Sequence, residues 1–201
     1  GVIGICAGHH SSLSDAIEVE VVGAACDDSG DTLNISDYAL ETSDKLLPSA
    51  PIVIVAGTCM NSGKTFAATE IIRQAAQRGL RVAGAKLSGI ACLRDTLNMQ
   101  DHGAFATASF LDCGLPSTVD HGDLPPVAKG ILNHLNSLGP DLIVAELGDG
   151  IVGGYAVDSI LLDAEIRSAL SSLVFCASDY VGVIGGRAVL SGFGLEIDVV
   201  A

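Results

Sequence analysis

The sequence predicts an α/β protein with a doubly wound, mostly parallel sheet, preceded by a small β-rich N-terminal element. Three observations predict this class. From residue 51 onward, short apolar runs typical of buried strands alternate with amphipathic segments typical of helices. A glycine-containing loop joins the first apolar run to the first helical segment. Hydrophobic residues make up 49% of the chain and aromatic residues only 4%, which favours small aliphatic side chains packed between sheet and helices.

The N-terminal element is predicted to form a separate small domain over residues 1–48. Residues 18–25 have the composition of a strand, and a polar turn separates them from a second short strand at residues 32–35. Residues 41–50 contain a proline and several polar residues and are predicted to be the linker. Residues 49–201 then form the second domain.

The elements of the second domain follow in order. The predicted strands cover residues 51–57, 81–87, 141–146, 173–177 and 195–201. The predicted helices cover residues 66–78, 95–111, 125–138, 158–172 and 180–190. Sheets of this kind bind their ligands at the carboxyl ends of the strands, so the residues that follow each strand are the candidates for a functional site.

The loop between the first strand and the first helix has the parts of a phosphate-binding P-loop. Residues 51–65 read PIVIVAGTCMNSGKT and end in Gly63-Lys64-Thr65. The backbone N–H groups of such a loop bind phosphate oxygens, the lysine reaches the β- and γ-phosphates, and the threonine hydroxyl ligates Mg²⁺. The strict G-x-x-x-x-G-K-[ST] spacing requires glycine where this chain has Thr58. The predicted nucleotide-binding residues are Thr58, Cys59, Met60, Asn61, Ser62, Gly63, Lys64, Thr65 and Phe66.

Two further strand ends carry charged residues. Lys86 ends the second predicted strand, where its ammonium would bind an anionic substrate group or a phosphoryl group, unless its stem only carries it to the surface. Glu146 ends the third strand in the place of a magnesium-binding acid, with Asp149 as a second candidate. We assign Asp101, with Asp95 as the alternative, to complete the magnesium shell. The predicted catalytic residues are Lys64 and Lys86, and the predicted metal ligands are Thr65, Glu146 and Asp101.

The charge and hydropathy exclude two classes of partner. The net charge is −14, and the ten lysines and arginines form no basic stripe, so we expect no nucleic-acid partner. The chain has no apolar run of about 18 residues and no basic, apolar leader at its start, so we expect a cytoplasmic protein without membrane association. The expected partners are a small anionic substrate and further copies of the same chain.

The cysteines and histidines give one weak metal-site candidate. The six cysteines contain no C-x-x-C pair, and we expect reduced, mostly buried thiols, with Cys59 in the phosphate loop as the exception. Cys6, His9 and His10 form one tight cluster, which does not supply the full ligand set of a structural zinc site.

Three segments carry a resemblance to a known group. The loop at residues 57–65, the segment at residues 79–89 and the strand ending at Glu146 resemble those of the dethiobiotin synthetase group of P-loop proteins, over roughly residues 51–150. In that group the loop reads GT-x-x-x-x-GKT, so Thr58 is regular there. The resemblance implies a P-loop NTPase fold, ATP, Mg²⁺, a substrate-contacting lysine matching Lys86 and an acid matching Glu146. The chain is also similar to a domain-of-unknown-function family linked to the N-acylation of amino acids.

These observations leave several functions open. The first hypothesis is an ATP-dependent enzyme that activates a small carboxylate or carbamate by phosphoryl transfer. The alternatives are an amino-acid N-acyltransferase, a nucleotide-dependent switch or metallochaperone that uses the Cys6 cluster, and a nucleotide-binding module without catalysis.

Overall fold

In the described part of the chain, parallel strands form one sheet and helices cover both of its faces. The structure is a computed structural model that describes residues 3–8 and 14–201. The strands are β1 (Ile52–Gly57), β2 (Val82–Ser88), β3 (Ala106–Ser109), β4 (Leu142–Leu147), β5 (Leu170–Cys176) and β6 (Val199–Val200). The helices are α1 (Lys64–Gln77), α2 (Leu93–Asp101), α3 (Pro125–Ser137), α4 (Val157–Leu162), α5 (Ala164–Ala169) and α6 (Tyr180–Gly192).

The strand order is β3-β2-β4-β1-β5-β6, with every neighbouring pair parallel. The P-loop strand β1 lies inside the sheet, between β4 and β5. Parallel strands require crossover connections, and the helices that follow β1, β2, β4 and β5 fall in these connections. The predicted doubly wound α/β class is therefore confirmed.

Different helices cover the two faces because strand side chains alternate in direction. Ile52 and Ile54 of β1 belong to a core cluster that contains side chains of α3, α4 and α6. Val55 belongs to a second cluster that contains side chains of α1 and α2. At Gly84 in β2, an added Cβ would lie 2.8 Å from the Sδ atom of Met99 in α2. Glycine at this position therefore allows α2 to lie close against the sheet.

Two predicted helices are wrong over part of their length. The helix predicted at residues 95–111 ends at Asp101, because Gly103 has a positive φ of 106° and residues 106–109 pair with β2 as a strand. The helix predicted at residues 158–172 is interrupted by Asp163, whose backbone is extended. The Asp163 side chain accepts hydrogen bonds from the first N–H groups of α5, which makes it the N-cap of a new helix.

The strand predicted at residues 18–25 is also wrong. These residues belong to no strand and are exposed. The polar turn is present, since Asp27 Oδ1 accepts hydrogen bonds from the backbone N–H groups of Ser29 and Asp31, but only one antiparallel bridge, between Cys26 and Thr32, follows from it. A lone hairpin without an apolar surface to cover is marginal, so strand propensity alone does not produce a β-rich element here. The domain boundary at residue 48 stays a prediction.

The segment predicted as a linker is fixed along α3. The backbone N–H of Ala50 donates to Asn136 Oδ1 (2.9 Å), and Asn136 Nδ2 donates to the carbonyl oxygen of Pro48 (2.6 Å). At Gly130, an added Cβ would lie 2.4 Å from the carbonyl oxygen of Glu41. Side chains of α3 thus hold the linker, and the lack of a side chain at Gly130 allows the linker backbone to lie close to this helix.

A lysine on the same helix connects α3 to α5. Lys129 is 6% exposed, and its Nζ lies 2.9 Å from Asp163 Oδ2 and 2.8 Å from Glu165 Oε2. It also donates to the carbonyl oxygen of Asp44 (3.2 Å). These acceptors come from two separate parts of the chain, the linker and the start of α5, so Lys129 fixes both of them to α3.

None of the helices in residues 3–8 and 14–201 combines the length and the apolar composition needed to span a membrane. The cytoplasmic location stays a prediction.

We expect Lys129→Ala to lower the free energy of unfolding by about 2–3 kcal/mol, because it leaves the Asp163 and Glu165 carboxylates close together without their cation. Urea denaturation measures the change. Arg73→Ala is the matched control, since the Arg73–Glu70 pair is exposed and screened by water, and its loss should be clearly smaller. Equal losses in both variants would contradict the structural role given to Lys129.

Candidate functional site

The loop between β1 and α1 presents free backbone donors. Gly63 has a left-handed backbone (φ 95°) and lies immediately before the first residue of α1, and Asn61 also has a positive φ of 62°. The backbone N–H groups of Asn61 and Gly63 donate to no other described residue. Consecutive N–H groups in such a conformation, at the positive end of a helix, form a concave site for an oxyanion.

Glycines allow the neighbouring loops to approach this one. At Gly150, an added Cβ would lie 2.2 Å from the carbonyl oxygen of Thr58. The backbone N–H of Ile151 donates to the carbonyl oxygen of Gly57 (3.0 Å), and Thr58 N–H donates to that of Cys176 (3.0 Å). The P-loop is therefore held between the end of β5 and the loop that follows β4.

Lys64 lies over the loop. It is 5% exposed, and its Nζ donates to the carbonyl oxygen of Cys59 (2.6 Å) and to Ser62 Oγ (3.4 Å). Burial lowers the pKa of Lys64 below the ordinary lysine value, although the carboxylates of Glu146 and Asp149 oppose this shift. An anion beside the ammonium would favour its charged form, so the environment of Lys64 suits a bound phosphate.

Glu146 and Thr65 meet beneath the loop. Thr65 Oγ1 donates to Glu146 Oε1 (2.8 Å), and Glu146 is 2% exposed. The second carboxylate oxygen, Oε2, is buried and has no hydrogen-bond partner among the described residues. Leaving such an acceptor unsatisfied costs about 1–3 kcal/mol, so a cation or a ligand donor at this oxygen would stabilise the site. A hydroxyl and a carboxylate are oxygen ligands of the kind that Mg²⁺ prefers, and the pair fits that ion.

Lys86 lies beside this pair because the strands are in register. Lys86 of β2 is directly opposite Glu146 of β4. Its Nζ is 3.6 Å from Glu146 Oε1 and makes a short ion pair with Asp95 Oδ2 on α2. Lys86 is 8% exposed, so the alternative in which its stem only carries the ammonium to the surface is wrong.

A cavity of about 880 Å³ brings most of the predicted site residues together. The predicted residues that line it are Met60, Asn61, Gly63, Lys64, Thr65, Phe66, Lys86, Glu146 and Asp101. Thr58, Cys59 and Ser62 do not line it; Ser62 and Cys59 instead hold the Lys64 ammonium. Asp149, the second acid candidate, also lines the cavity.

The two magnesium candidates on α2 have different surroundings. Asp95, the alternative magnesium ligand, makes an ion pair with Lys86 through its Oδ2 atom. Asp101 lines the cavity at the end of α2 and makes no ion pair with any residue of the described ranges. The assignment of Asp101 to the magnesium shell stays a prediction.

Several residues of the cavity wall were not predicted from the sequence. The clearest is Arg94, which lies in the first turn of α2, where a cation opposes the helix dipole. Because the predicted helix begins at residue 95, Arg94 lay outside it and no signal in the sequence indicated this position. Tyr155 also lines the cavity, and nothing in its glycine-rich surroundings predicted this. The other unpredicted lining residues are Gly89, Ile90, Leu97, Asn98 and Gly148.

The remaining candidates contribute less. Cys6 is exposed, while His9 and His10 lie outside the described residues; within the described ranges there is no group of three metal-binding side chains. Four of the six cysteines, including Cys59, are exposed, so the expectation of mostly buried thiols is wrong. Beyond β5, Asp179 Oδ1 accepts a hydrogen bond from the backbone N–H of Gly182 (2.7 Å), where it caps α6.

We expect Gly150→Ala to lower the free energy of unfolding by about 1–3 kcal/mol, because its methyl group would collide with the carbonyl group of Thr58 and displace the P-loop. Gly185→Ala in α6 is the control, since an added Cβ there meets open space and alanine favours a helix by up to about 1 kcal/mol. Urea denaturation compares the two. A Gly150→Ala protein as stable as the wild type would show that the loops are not tightly apposed.

The comparisons with known proteins identify the fold. No protein-family model and no curated protein sequence matches the chain. It is similar to the signal recognition particle receptor FtsY from Elizabethkingia anophelis (TM-score 0.50, 13% identity, 83% of this chain and 54% of that one). It is also similar to the cell division protein FtsY from Thermotoga maritima (TM-score 0.53, 15% identity, 83% and 57%).

The kinase domain of the Escherichia coli tyrosine kinase ETK aligns at a TM-score of 0.46, with 16% identity, over 75% of this chain and 66% of that one. The chain spans little more than half the length of the two FtsY structures. Sequence identities of 13–16% show similarity of fold alone. The six-stranded parallel sheet with its β1–loop–α1 unit matches the FtsY structures, and the chain therefore has a fold of the P-loop NTPase type.

Proposed function

We propose that this chain binds a nucleoside triphosphate together with Mg²⁺ and transfers its terminal phosphoryl group to a small anionic substrate. The observation that carries the proposal is the convergence of Lys64, Thr65, Glu146 and Lys86 on one cavity at the carboxyl ends of β1, β2 and β4. Within this group, the buried Oε2 of Glu146 has no hydrogen-bond partner among the described residues.

Different residues of the site would bind the phosphates and the magnesium ion. The loop N–H groups at Asn61 and Gly63 would bind phosphate oxygens, and Lys64 would exchange its bonds to Cys59 and Ser62 for bonds to phosphate. Thr65 and Glu146 would hold the magnesium ion. When bound, Mg²⁺ neutralises charge on the phosphates, which favours transfer.

Lys86 is the residue that we assign to the substrate. Its ammonium is in contact with Asp95 and 3.6 Å from Glu146. Asp95 is on α2, so a small movement of this helix would release the ammonium to a substrate anion. The resemblance of residues 51–150 to the dethiobiotin synthetase group supports a carboxylate or carbamate as that anion. When bound, the nucleotide supplies the phosphoryl group that the substrate oxygen accepts, leaving a nucleoside diphosphate.

ATP is the nucleotide that we propose. The acid after β5 that would be available to read a guanine base, Asp179, instead caps α6 through its Oδ1. The sequence also contains no N-K-x-D guanine-reading motif. The small anionic substrate and the self-association of the chain stay predictions.

We expect Lys64→Ala to weaken Mg-ATP binding by at least about 100-fold, equivalent to about 2.7 kcal/mol, because it removes the ammonium that contacts the loop at Cys59 and Ser62. Isothermal titration calorimetry measures the affinity. Lys45→Ala, which removes a lysine of the linker outside the cavity, should bind as the wild type does. Unchanged affinity in Lys64→Ala would contradict the proposed phosphate site.

We expect Lys86→Ala to retain Mg-ATP affinity within about threefold and to lose ATP turnover, because its ammonium acts on the substrate rather than on the nucleotide. Calorimetry and an assay of ADP formation with a panel of small carboxylates and bicarbonate measure the two effects. Since the variant leaves Asp95 and Glu146 unpaired, Lys86→Gln serves as a second variant, and circular dichroism checks that both are folded. A parallel loss of affinity and turnover would place Lys86 on the nucleotide.

A further inference from the structure

The three cations that line the cavity differ in how they are partnered. The ammonium of Lys64 is bonded to the P-loop, and that of Lys86 is in contact with Asp95 and 3.6 Å from Glu146. Arg94 is exposed, and its guanidinium group makes no hydrogen bond or ion pair with any residue in the described ranges. Of the cavity's cations, Arg94 is thus the one whose charge the protein does not compensate.

The local structure of α2 does not explain an arginine at this position. Arg94 is in the first turn, where exposed backbone N–H groups make the helix end positive and disfavour a cation. The residues three and four positions further along are Leu97 and Asn98, so no acid on the helix lies at ion-pair spacing. The adjacent acid, Asp95, is directed to Lys86. The helix therefore presents Arg94 to the cavity without an internal use for its charge.

The charge of the cavity gives Arg94 a use. Four carboxylates line it, from Asp95, Asp101, Glu146 and Asp149, against the three cations. Without Arg94 the carboxylates would outnumber the cations two to one, and an incoming oxyanion would be repelled. A guanidinium group also offers two parallel N–H donors, which match the oxygens of a phosphoryl or carboxylate group better than an ammonium does.

We propose that Arg94 is an oxyanion-binding residue of this site. It binds, from α2, an oxyanion in the cavity: the terminal phosphoryl group of the nucleotide or the carboxylate of the co-substrate. Both groups present at least two negatively charged oxygens that the guanidinium can bind. The inference rests on the proposed function, since it requires a nucleotide on the P-loop, and it adds a binding group that the P-loop, Lys86 and Glu146 do not supply.

The test compares the wild type with Arg94→Ala, Arg94→Lys and Arg187→Ala. Arg187 is an exposed arginine of α6 outside the cavity, so its variant is the matched control. Calorimetry with Mg-ATP and Mg-ADP gives the preference of each protein for the triphosphate. Thermal unfolding of each Mg-ADP-saturated protein with succinate and with glutarate gives the response to carboxylates, because a ligand that binds the native state raises the Tm.

If the oxyanion is the terminal phosphoryl group, Arg94→Ala reduces the preference for ATP over ADP by about 10-fold or more, and Arg94→Lys recovers part of it. If the oxyanion is a carboxylate, the preference is unchanged and the Tm increase that succinate or glutarate gives the wild type is lost in Arg94→Ala. Arg187→Ala matches the wild type in both arms.

The inference is overturned if Arg94→Ala equals the wild type in its ATP preference and in its carboxylate response, including the case in which neither protein responds to carboxylates. It is equally overturned if Arg187→Ala shows the same losses as Arg94→Ala, because the effect would then be one of net charge. Absence of Mg-ATP and Mg-ADP binding in the wild type would instead refute the proposed function, so the two failures are distinguishable.

Discussion

The buried carboxylate of Glu146 is the group on which the rest of the site depends. It accepts a hydrogen bond from Thr65 at the start of α1, lies 3.6 Å from the Lys86 ammonium on β2, and has one oxygen with no hydrogen-bond partner in the described part of the chain. A carboxylate with these contacts fixes the beginning of α1, and with it the P-loop, relative to two strands. Since an unpaired buried oxygen is costly, the arrangement makes sense as a binding site rather than as a structural contact alone.

The register of the parallel sheet is what places these groups together. Lys86 and Glu146 are opposite one another on β2 and β4, on the face that α1 and α2 cover. Two glycines allow the neighbouring segments to pack closely around these groups. The lack of a side chain at Gly84 leaves room for α2, and its lack at Gly150 leaves room for the backbone of Thr58. Because α2 lies close to the sheet, Arg94 lines the cavity and Asp95 reaches Lys86. The part of the cavity wall that contains Arg94, Asp95 and Asp101 is therefore built on one short helix, α2.

Contiguous patterns predicted the parts of the structure that depend on local sequence. The P-loop could be read because strand, loop and helix follow directly in residues 51–78, and Glu146 because it ends a continuous apolar run. What failed depends on contacts between distant residues. The strand β3 has only four residues and exists through its pairing with β2, while residues 18–25 have strand composition but pair with no strand in the described part of the chain. The roles of Asp95 and Arg94 depend on how α2 packs, which no spacing in the sequence encodes.

The magnesium dependence of ATP binding tests the central claim most directly. The affinity for ATP is measured by calorimetry with saturating Mg²⁺ and with EDTA, in the wild type and in Glu146→Gln, which keeps the shape of the side chain and removes its charge. The account predicts that Mg²⁺ tightens ATP binding to the wild type by about 10-fold or more and has a much smaller effect in Glu146→Gln. An equal magnesium effect in both proteins, or no ATP binding to the wild type, would contradict it.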